Sequence, residues 1–306
     1  MDDESAGAVM INGVSMKQFV LDLNQEINND NVYNGAAALG YYLTLAIFPG
    51  IILLMTIIPY LPIDRVDEAI MDLLGQALPE EAYDMVAGVV TDVTANRRGG
   101  LLSFSLLGTI WAASTGMYAI MQQLNITYGV NEARSFIRAR ATALILSLLF
   151  GLLVVGAFSL IVLGGIIEDW MGTRLGMSDT LIMAFAAFRW VVIVLALFLG
   201  FALIYRYAPN VEQKFKFITW GSVFGVTMLI IVSLGFSIYT SNFADYDATY
   251  GSIGAVIILM LWLYVAGLVI LVGSEINAVL EHYSSHGKRK GEKKEGNHKG
   301  KKLTDR

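Results

Sequence analysis

Residues 251–280 read GSIGAVIILMLWLYVAGLVILVGSEINAVL, a run in which Glu275 is the one acidic or basic residue. A helix of about 20 mainly apolar residues is long enough to cross the hydrocarbon core of a bilayer. Five further runs of similar length and composition precede this one. We therefore predict six transmembrane helices, at about 35–61, 99–124, 141–167, 180–205, 217–241 and 251–280.

The composition indicates an integral membrane protein. Hydrophobic residues make up 56% and charged residues 15% of the 306 residues, which is too apolar for the surface of an ordinary soluble domain. The first 34 residues are polar and acidic and lack the pattern of a signal peptide. Cysteine is absent, which excludes disulfides and thiolate metal sites. We expect an all-α polytopic membrane bundle over 35–281, between an N-terminal segment, 1–34, and a tail, 282–306.

Lysine and arginine residues are concentrated in alternate connections of the predicted bundle. They follow the second, fourth and sixth spans, whereas the connections after the third and fifth spans are mainly acidic. Positively charged loops are retained on the cytoplasmic side of a membrane. The sequence therefore predicts that both termini are cytoplasmic. The connection between the first two spans holds bases among many carboxylates and gives no clear orientation.

Amphipathic helices are predicted outside the spans. Ser15 and Gln18 have the spacing of a capping box, and apolar residues recur at helical period behind them, which predicts an interfacial helix over 15–29. Two more amphipathic helices are predicted in the first outer segment, on either side of Pro79. They either cover a cavity or lie among the lipid headgroups.

The tail is basic and has no apolar period, which predicts a disordered segment in contact with anionic lipid. Nucleic acid is not an expected partner, because the chain has a net charge of −5 and no nucleic-acid-binding motif. Small residues at a spacing of four predict close contacts between helices. They include Gly40, Gly108, Gly116, Gly221 and Gly225.

Arg189 lies about a third of the way into the fourth span from its outer side. Ionisable residues are costly inside a bilayer and usually face a partner or water. We hypothesise that Arg189 faces a central cavity and binds an anionic headgroup or carboxylate; the alternative is that its long side chain reaches the outer interface. Four further polar side chains are candidates to line a polar route for the substrate through the bundle, although tyrosine is also a common anchor at the membrane interface. They are Tyr41, Tyr42, Gln122 and Asn125.

Glu275 lies near the cytoplasmic end of the last span. It could take up protons or pair with Arg206 or Arg140, and we favour a structural ion pair because charges at helix ends usually pair or reach solvent. Pro49 removes a backbone hydrogen bond from the first span and predicts a bend, whose freed carbonyl must be satisfied by protein or water. No metal-ligand spacing or catalytic motif is recognisable. We expect no metal, cofactor or enzymatic activity.

The segment AAALGYYLTLAIFP at 36–49 resembles the opening signature of the YihY/BrkB family of bacterial inner-membrane proteins. Similar matches follow at 111–128, 205–209 and 250–277, and the resemblance covers roughly 19–280. One departure is Ala46, where the family pattern usually has serine. The resemblance implies a multi-pass inner-membrane protein of poorly defined activity, with export or lipid transport favoured. The family's old ribonuclease label has no support in this sequence, whose three histidines lie in or beside the tail.

Two functions remain open at this point. The first is transport or translocation of an amphipathic or anionic substrate such as a lipid, in which Glu275, Pro49 and Arg206 are candidates for gating or ion pairing. The second is a non-transporting scaffold or assembly factor of the cell envelope. Membrane lipids are the expected partners in both, and association into a homo-oligomer is an open alternative.

Overall fold

The computed structural model describes residues 10–11, 14–57, 101–212, 215–242, 252–284 and 290–293. Within these ranges the chain forms a two-residue antiparallel hairpin, β1 (Met10–Ile11) with β2 (Val14–Ser15), and seven helices. The helices are α1 (Met16–Asn29), α2 (Val32–Ile57), α3 (Leu101–Thr127), α4 (Phe136–Thr173), α5 (Asp179–Tyr207), α6 (Trp220–Asn242) and α7 (Ser252–His282). The expectation of an all-α architecture is confirmed apart from this short hairpin.

Four segments in the last four helices are long and apolar enough to cross a membrane. They are Phe136–Ile161, Asp179–Tyr207, Trp220–Tyr239 and Val256–His282. Helices α2 and α3, of 26 and 27 residues, lie where the sequence predicts the first two spans. The predicted amphipathic helices of the first outer segment lie outside the described residues.

The core of the bundle lies where α2, α3 and α7 meet. Helix α2 packs against α3 and α7, α6 packs against α7, and α4 and α5 pack against each other while contacting α3 and α6 respectively. The centre is filled by fully buried apolar side chains, which give non-directional stabilisation through close packing. They include Leu39 from α2, Met121 and Leu124 from α3, and Leu271 from α7.

Helices α4 and α5 join this core only near one end. Ala143 and Leu146 of α4 and Phe201 and Ile204 of α5 belong to the buried cluster. Farther along both helices many large apolar side chains are exposed, and Leu152 and Met183 reach 70% and 71%. Extended apolar surfaces of this kind are unfavourable in water and suit contact with lipid. The bundle is therefore embedded in a membrane.

Close helix crossings form at several of the predicted small residues. A Cβ atom at Gly221 would collide with the carbonyl oxygen of Gly273 and with Asn277, and one at Gly40 would press on the backbone of Tyr264. These contacts confirm the predictions for Gly40 and Gly221. At Gly108, by contrast, a Cβ atom would meet no other atom within 4 Å among the described residues, so no close crossing is found there.

Helix α1 begins as its sequence predicts. Ser15 is the N-cap, and its hydroxyl accepts a hydrogen bond of 3.3 Å from the backbone N–H of Gln18. Phe19 packs into a cluster with Val279 and Leu280 of α7. The helix thereby lies against the bundle, and its inward face carries both apolar and acidic side chains.

Candidate functional site

The inward face of α1 carries two acidic residues, Asp22 and Glu26, beside Phe19. Residues three, four and seven positions apart share a helix face, so the burial of Phe19 brings both carboxylates to the bundle. The helix ends at Asn29, and the C-cap residue Asp30 follows, with its N–H bonded to the carbonyl of Glu26 at 2.9 Å. Glu26 and Asp30 consequently lie side by side at the corner between α1 and α2.

Glu275 of α7 meets these two carboxylates. The carboxylate oxygens that Glu26, Asp30 and Glu275 contribute all lie within 4.8 Å of one another, and we call these three residues the acidic cluster. The side chain of Glu275 is 0% exposed, and neither of its oxygens has a hydrogen-bond partner within the described chain. The sequence shows no metal-ligand spacing or catalytic motif, and the three carboxylates come together only through the fold. Glu26 and Asp30 are four residues apart, whereas Glu275 is distant in sequence and meets them because α1 docks on α7.

Lys290 from the tail supplies positive charge to the acidic cluster. Its ammonium group forms ion pairs with Glu26 and with Asp30, the latter at 2.6 Å. Burial acts to lower the pKa of Lys290, but the two carboxylates outweigh burial and raise it. Burial, together with the neighbouring charge of Glu26, raises the pKa of Asp30 although Lys290 acts to lower it. The pair is thus a desolvated one, in which each charge depends on the other.

Residues 290–293 cross the end of the bundle, and we call them the strap. Besides the contacts of Lys290, Gly291 donates a backbone hydrogen bond of 2.8 Å to the carbonyl of Tyr128, and Lys293 accepts one of 2.7 Å from the N–H of Glu212. Gly291 has a φ of 88°, a backbone conformation that glycine adopts without steric cost. The predicted disorder of the tail does not hold for these four residues.

The strap, α1 and the connections after α3 and α5 meet at one end of the bundle, which we call the tail end. Asn125 is buried there. Its side-chain amide donates a hydrogen bond of 3.1 Å to Glu132 and accepts one of 2.7 Å from the backbone N–H of Asn210. Glu132 in turn pairs with Arg134 at 2.8 Å. Burial acts to raise the pKa of Glu132, but Arg134 outweighs it and holds the pKa below its ordinary value of 4.5. Asn125 therefore joins two connections.

A cavity of about 310 Å³ lies beside this network, between the tail-end parts of α4 and α5, and we call it the basic pocket. Three cations, Arg134, Arg206 and Lys293, contribute to its wall. The guanidinium of Arg134 also bonds the carbonyl of Ala208 at 2.7 Å, which fixes its position. The remaining lining residues are Thr142, Tyr207, Pro209, Asn210, Val211 and Glu212.

Arg189 lies far from the basic pocket. It precedes Arg206 by 17 residues on the same helix, about 25 Å at a rise of about 1.5 Å per residue. Its guanidinium forms an ion pair of 3.1 Å with Glu168 of α4 and lies against Gly164, where a Cβ atom would collide with it. The structure thus places Arg189 between α4 and α5.

The other predicted site residues do not gather around Arg189. Tyr41 and Tyr42 are exposed on α2 and contact each other edge to face at 5.3 Å. Gln122 is exposed on α3, and α2 continues as a helix through Pro49. Asn125, Arg206 and Glu275 lie at the tail end, although Glu275 is with the acidic cluster.

Arg140, the other partner considered for Glu275, binds elsewhere. Its guanidinium donates a hydrogen bond of 2.8 Å to the carbonyl of Trp111 and one of 2.9 Å to the hydroxyl of Thr115. The guanidinium also lies 4.0 Å from the centre of the Trp111 ring. Sequence reasoning missed Glu26, Asp30 and Lys290. The helical period gives a signal for Glu26, because it falls on the face of Phe19. The position of Lys290 has no such local signal.

The sequence matches the profile of the family described as Virulence factor BrkB over residues 23–299. The chain belongs to the BrkB family. Among its relatives is the ribonuclease-like protein YfkH of Bacillus subtilis (strain 168), which is 40% identical over 245 residues, or 80% of this chain and 88% of YfkH. A UPF0761 membrane protein of Aliivibrio salmonicida (strain LFI1238) is 26% identical over 267 residues, or 86% and 83% of the two chains. No solved structure gives a significant match to this BrkB-family chain.

Proposed function

We propose that this BrkB-family protein translocates an amphipathic, anionic substrate such as a lipid across the bacterial inner membrane. The observation that supports this proposal best is the basic pocket. Cations from three parts of the chain line a cavity of about 310 Å³, which is the lower end of the range for small-molecule sites. Guanidinium groups bind phosphate and carboxylate oxygens through paired hydrogen bonds.

The surroundings of the basic pocket favour an amphipathic substrate over a small soluble anion. Phe136 and Ile137 at the start of α4 are 65% and 78% exposed, and Ile145, a little more than two turns later, is also exposed. An anionic headgroup beside Arg206 and Lys293 would leave its acyl chains against this apolar surface. Burying acyl methylene groups there supplies affinity that a free phosphate lacks.

The proposed topology has six spans with both termini in the cytoplasm. The tail end carries Arg134, Arg138, Arg140 and Arg206, and the positive-inside rule assigns such an end to the cytoplasm. The basic pocket would then take a headgroup from the inner leaflet. Arg189, about a third of the way along α5 from its opposite end, would offer a second cation to the headgroup once its pair with Glu168 opens.

The alternative is a scaffold that does not transport, and the strap favours it in one respect. Its bonds to Tyr128 and Glu212 give the tail a fixed path across the bundle, as a docking surface for another protein would need. RNA hydrolysis at the acidic cluster is disfavoured, because Glu275 is 0% exposed and Glu26 is buried beside it. A phosphodiester has no access to carboxylates in that position.

Reconstitution in liposomes tests the proposal. Fluorescent anionic and zwitterionic phospholipids are followed between leaflets with the wild type, Arg206→Glu and the control Arg138→Glu, which changes an exposed arginine at the same end of the bundle. We expect movement of the anionic lipid with the wild type and the control, and its loss with Arg206→Glu. No movement above that in empty liposomes would contradict translocation and favour the scaffold.

A further inference from the structure

The acidic cluster contains more negative charge than its contacts within the described chain balance. Lys290 is the one cation that forms ion pairs with it among those residues, and it reaches Glu26 and Asp30. Both oxygens of Glu275 and one oxygen of Asp30 have no hydrogen-bond partner there. A buried carboxylate in this condition is strongly unfavourable unless a cation or proton joins it.

The spacing of the three carboxylates suits a single ion. An ion bound at about 2.4 Å, the usual calcium–oxygen distance, holds two opposite oxygens about 4.8 Å apart. The oxygens of Glu26, Asp30 and Glu275 all lie within 4.8 Å of one another, close enough for one ion to reach all three. Ligands that are all carboxylate oxygens select hard divalent cations, magnesium or calcium, over softer metals.

We propose that Glu26, Asp30 and Glu275 form a binding site for a hard divalent cation, magnesium or calcium, and that Lys290 competes with the ion for the same carboxylates. The fully buried, unpartnered carboxylate of Glu275 is the ligand that Lys290 leaves to the ion. The ammonium group of Lys290 acts as a tethered monovalent substitute. A divalent ion in its place can balance two carboxylate charges, whereas the ammonium group balances one.

The position of Lys290 makes this competition reversible. It belongs to a strap held by backbone hydrogen bonds at Gly291 and Lys293, and not to a helix of the bundle. A few bonds at the surface can open at much lower cost than a core helix can move. The ion would thus displace a side chain of the tail while α1, α2 and α7 keep their positions.

Equilibrium dialysis of the full-length purified protein against radioactive calcium tests the site, with magnesium as the unlabelled competitor. We expect one calcium per chain, displaced by magnesium. A tethered competitor lowers the apparent affinity by the fraction of time that it leaves the site open. If Lys290 occupies the site about nine-tenths of the time, Lys290→Ala binds calcium about tenfold more tightly. The exposed lysine variant Lys17→Ala should bind as the wild type does.

Removal of a ligand completes the test. Glu275→Gln keeps the size of the side chain and removes its charge, and we expect loss of saturable binding, with Asp179→Asn as the control for an exposed acid on α5. Asp30→Asn, at the corner between helices, is the second ligand variant should Glu275→Gln fail to fold. Absence of saturable calcium binding in folded Lys290→Ala, or unchanged binding in a folded ligand variant, would overturn the proposal.

This experiment does not depend on lipid movement. Failure to bind calcium would leave the liposome result with Arg206→Glu unaffected, because Arg206 lines the basic pocket and not the acidic cluster.

Discussion

The hydroxyl of Tyr283 donates a hydrogen bond of 2.6 Å to Asp22, although 261 residues separate them. The bond fastens α1 to the segment that follows α7. Asp22 also accepts a hydrogen bond of 2.7 Å from the side-chain amide of Gln18. Burial raises the pKa of Tyr283 and the neighbouring carboxylate raises it further, so the phenol keeps the proton that it donates.

Tyr283→Phe removes this donor and leaves the buried Asp22 with one fewer partner. We expect the free energy of unfolding to fall by about 1.5–3 kcal/mol, the usual range for hydrogen bonds to charged groups. Hydrogen exchange should rise mainly in α1. Denaturant unfolding of the variant, compared with the exposed control Tyr33→Phe, measures the change. Equal stability of the two variants would show that α1 does not depend on this bond.

Gly273→Ala tests the close crossing of α6 and α7. A Cβ atom at Gly273 would collide with the hydroxyl of Tyr205 and with the carbonyl of Gly221. The Tyr205 hydroxyl donates a hydrogen bond of 2.9 Å to the carbonyl of Ile270. Overpacking of this kind costs about 1–3 kcal/mol. The same change at Gly235, where a Cβ atom meets open space, should be neutral or stabilising because alanine favours helix. Thermal unfolding that ranks the two variants in the opposite order would contradict the crossing.

The pair of Glu132 with Arg134 predicts acid-sensitive stability. The pKa of Glu132 in the folded chain is below its ordinary value of 4.5, so the unfolded chain takes up the proton first. The stabilisation is therefore complete above about pH 4.5 and is lost as the pH falls through the lower folded value. Glu132→Gln should be less stable than the wild type by about 1 kcal/mol at pH 7. Unfolding measured down to pH 3 should show this difference shrinking; a constant difference would contradict the assignment.

Reversal of the Arg189 and Glu168 pair separates its structural role from anion binding. Arg189→Glu places two carboxylates together, and we expect a loss of about 1–3 kcal/mol. The double variant Arg189→Glu with Glu168→Arg restores opposite charges and should recover most of that stability. Arg174→Glu, at an exposed arginine after α4, is the control. Recovery of stability without recovery of lipid movement would assign Arg189 to the substrate path, whereas recovery of both would assign it to packing.

The helices could be predicted from the sequence because their signals are local. Apolar length predicts α2 to α7, and the spacing of Ser15 and Gln18 predicts the start of α1. The small residues Gly40 and Gly221 likewise indicate close crossings that the structure contains. Each of these signals lies within one segment of chain, where helix period and residue size act directly.

The partners of the candidate site residues could not be predicted in the same way. Glu275 stands out in its span, but Glu26 and Lys290, which are 264 residues apart, meet only in the folded chain. The tail is predicted to be disordered because it has few apolar residues to bury. The strap is held instead by backbone hydrogen bonds and by ion pairs with two carboxylates. Arg189 has its partner on the neighbouring helix, in a pair that depends on how α4 and α5 are aligned.

The four residues of the strap contact both the acidic cluster and the basic pocket. Lys290 contacts the acidic cluster, and Lys293 lines the basic pocket. Only Gly291 and Glu292 lie between them, so the proposed cation in the cluster and the proposed anion in the pocket would act on one short piece of backbone. If binding at one site moves the strap at the other, the two equilibria are thermodynamically linked, and each ligand then changes the affinity of the other by the same factor.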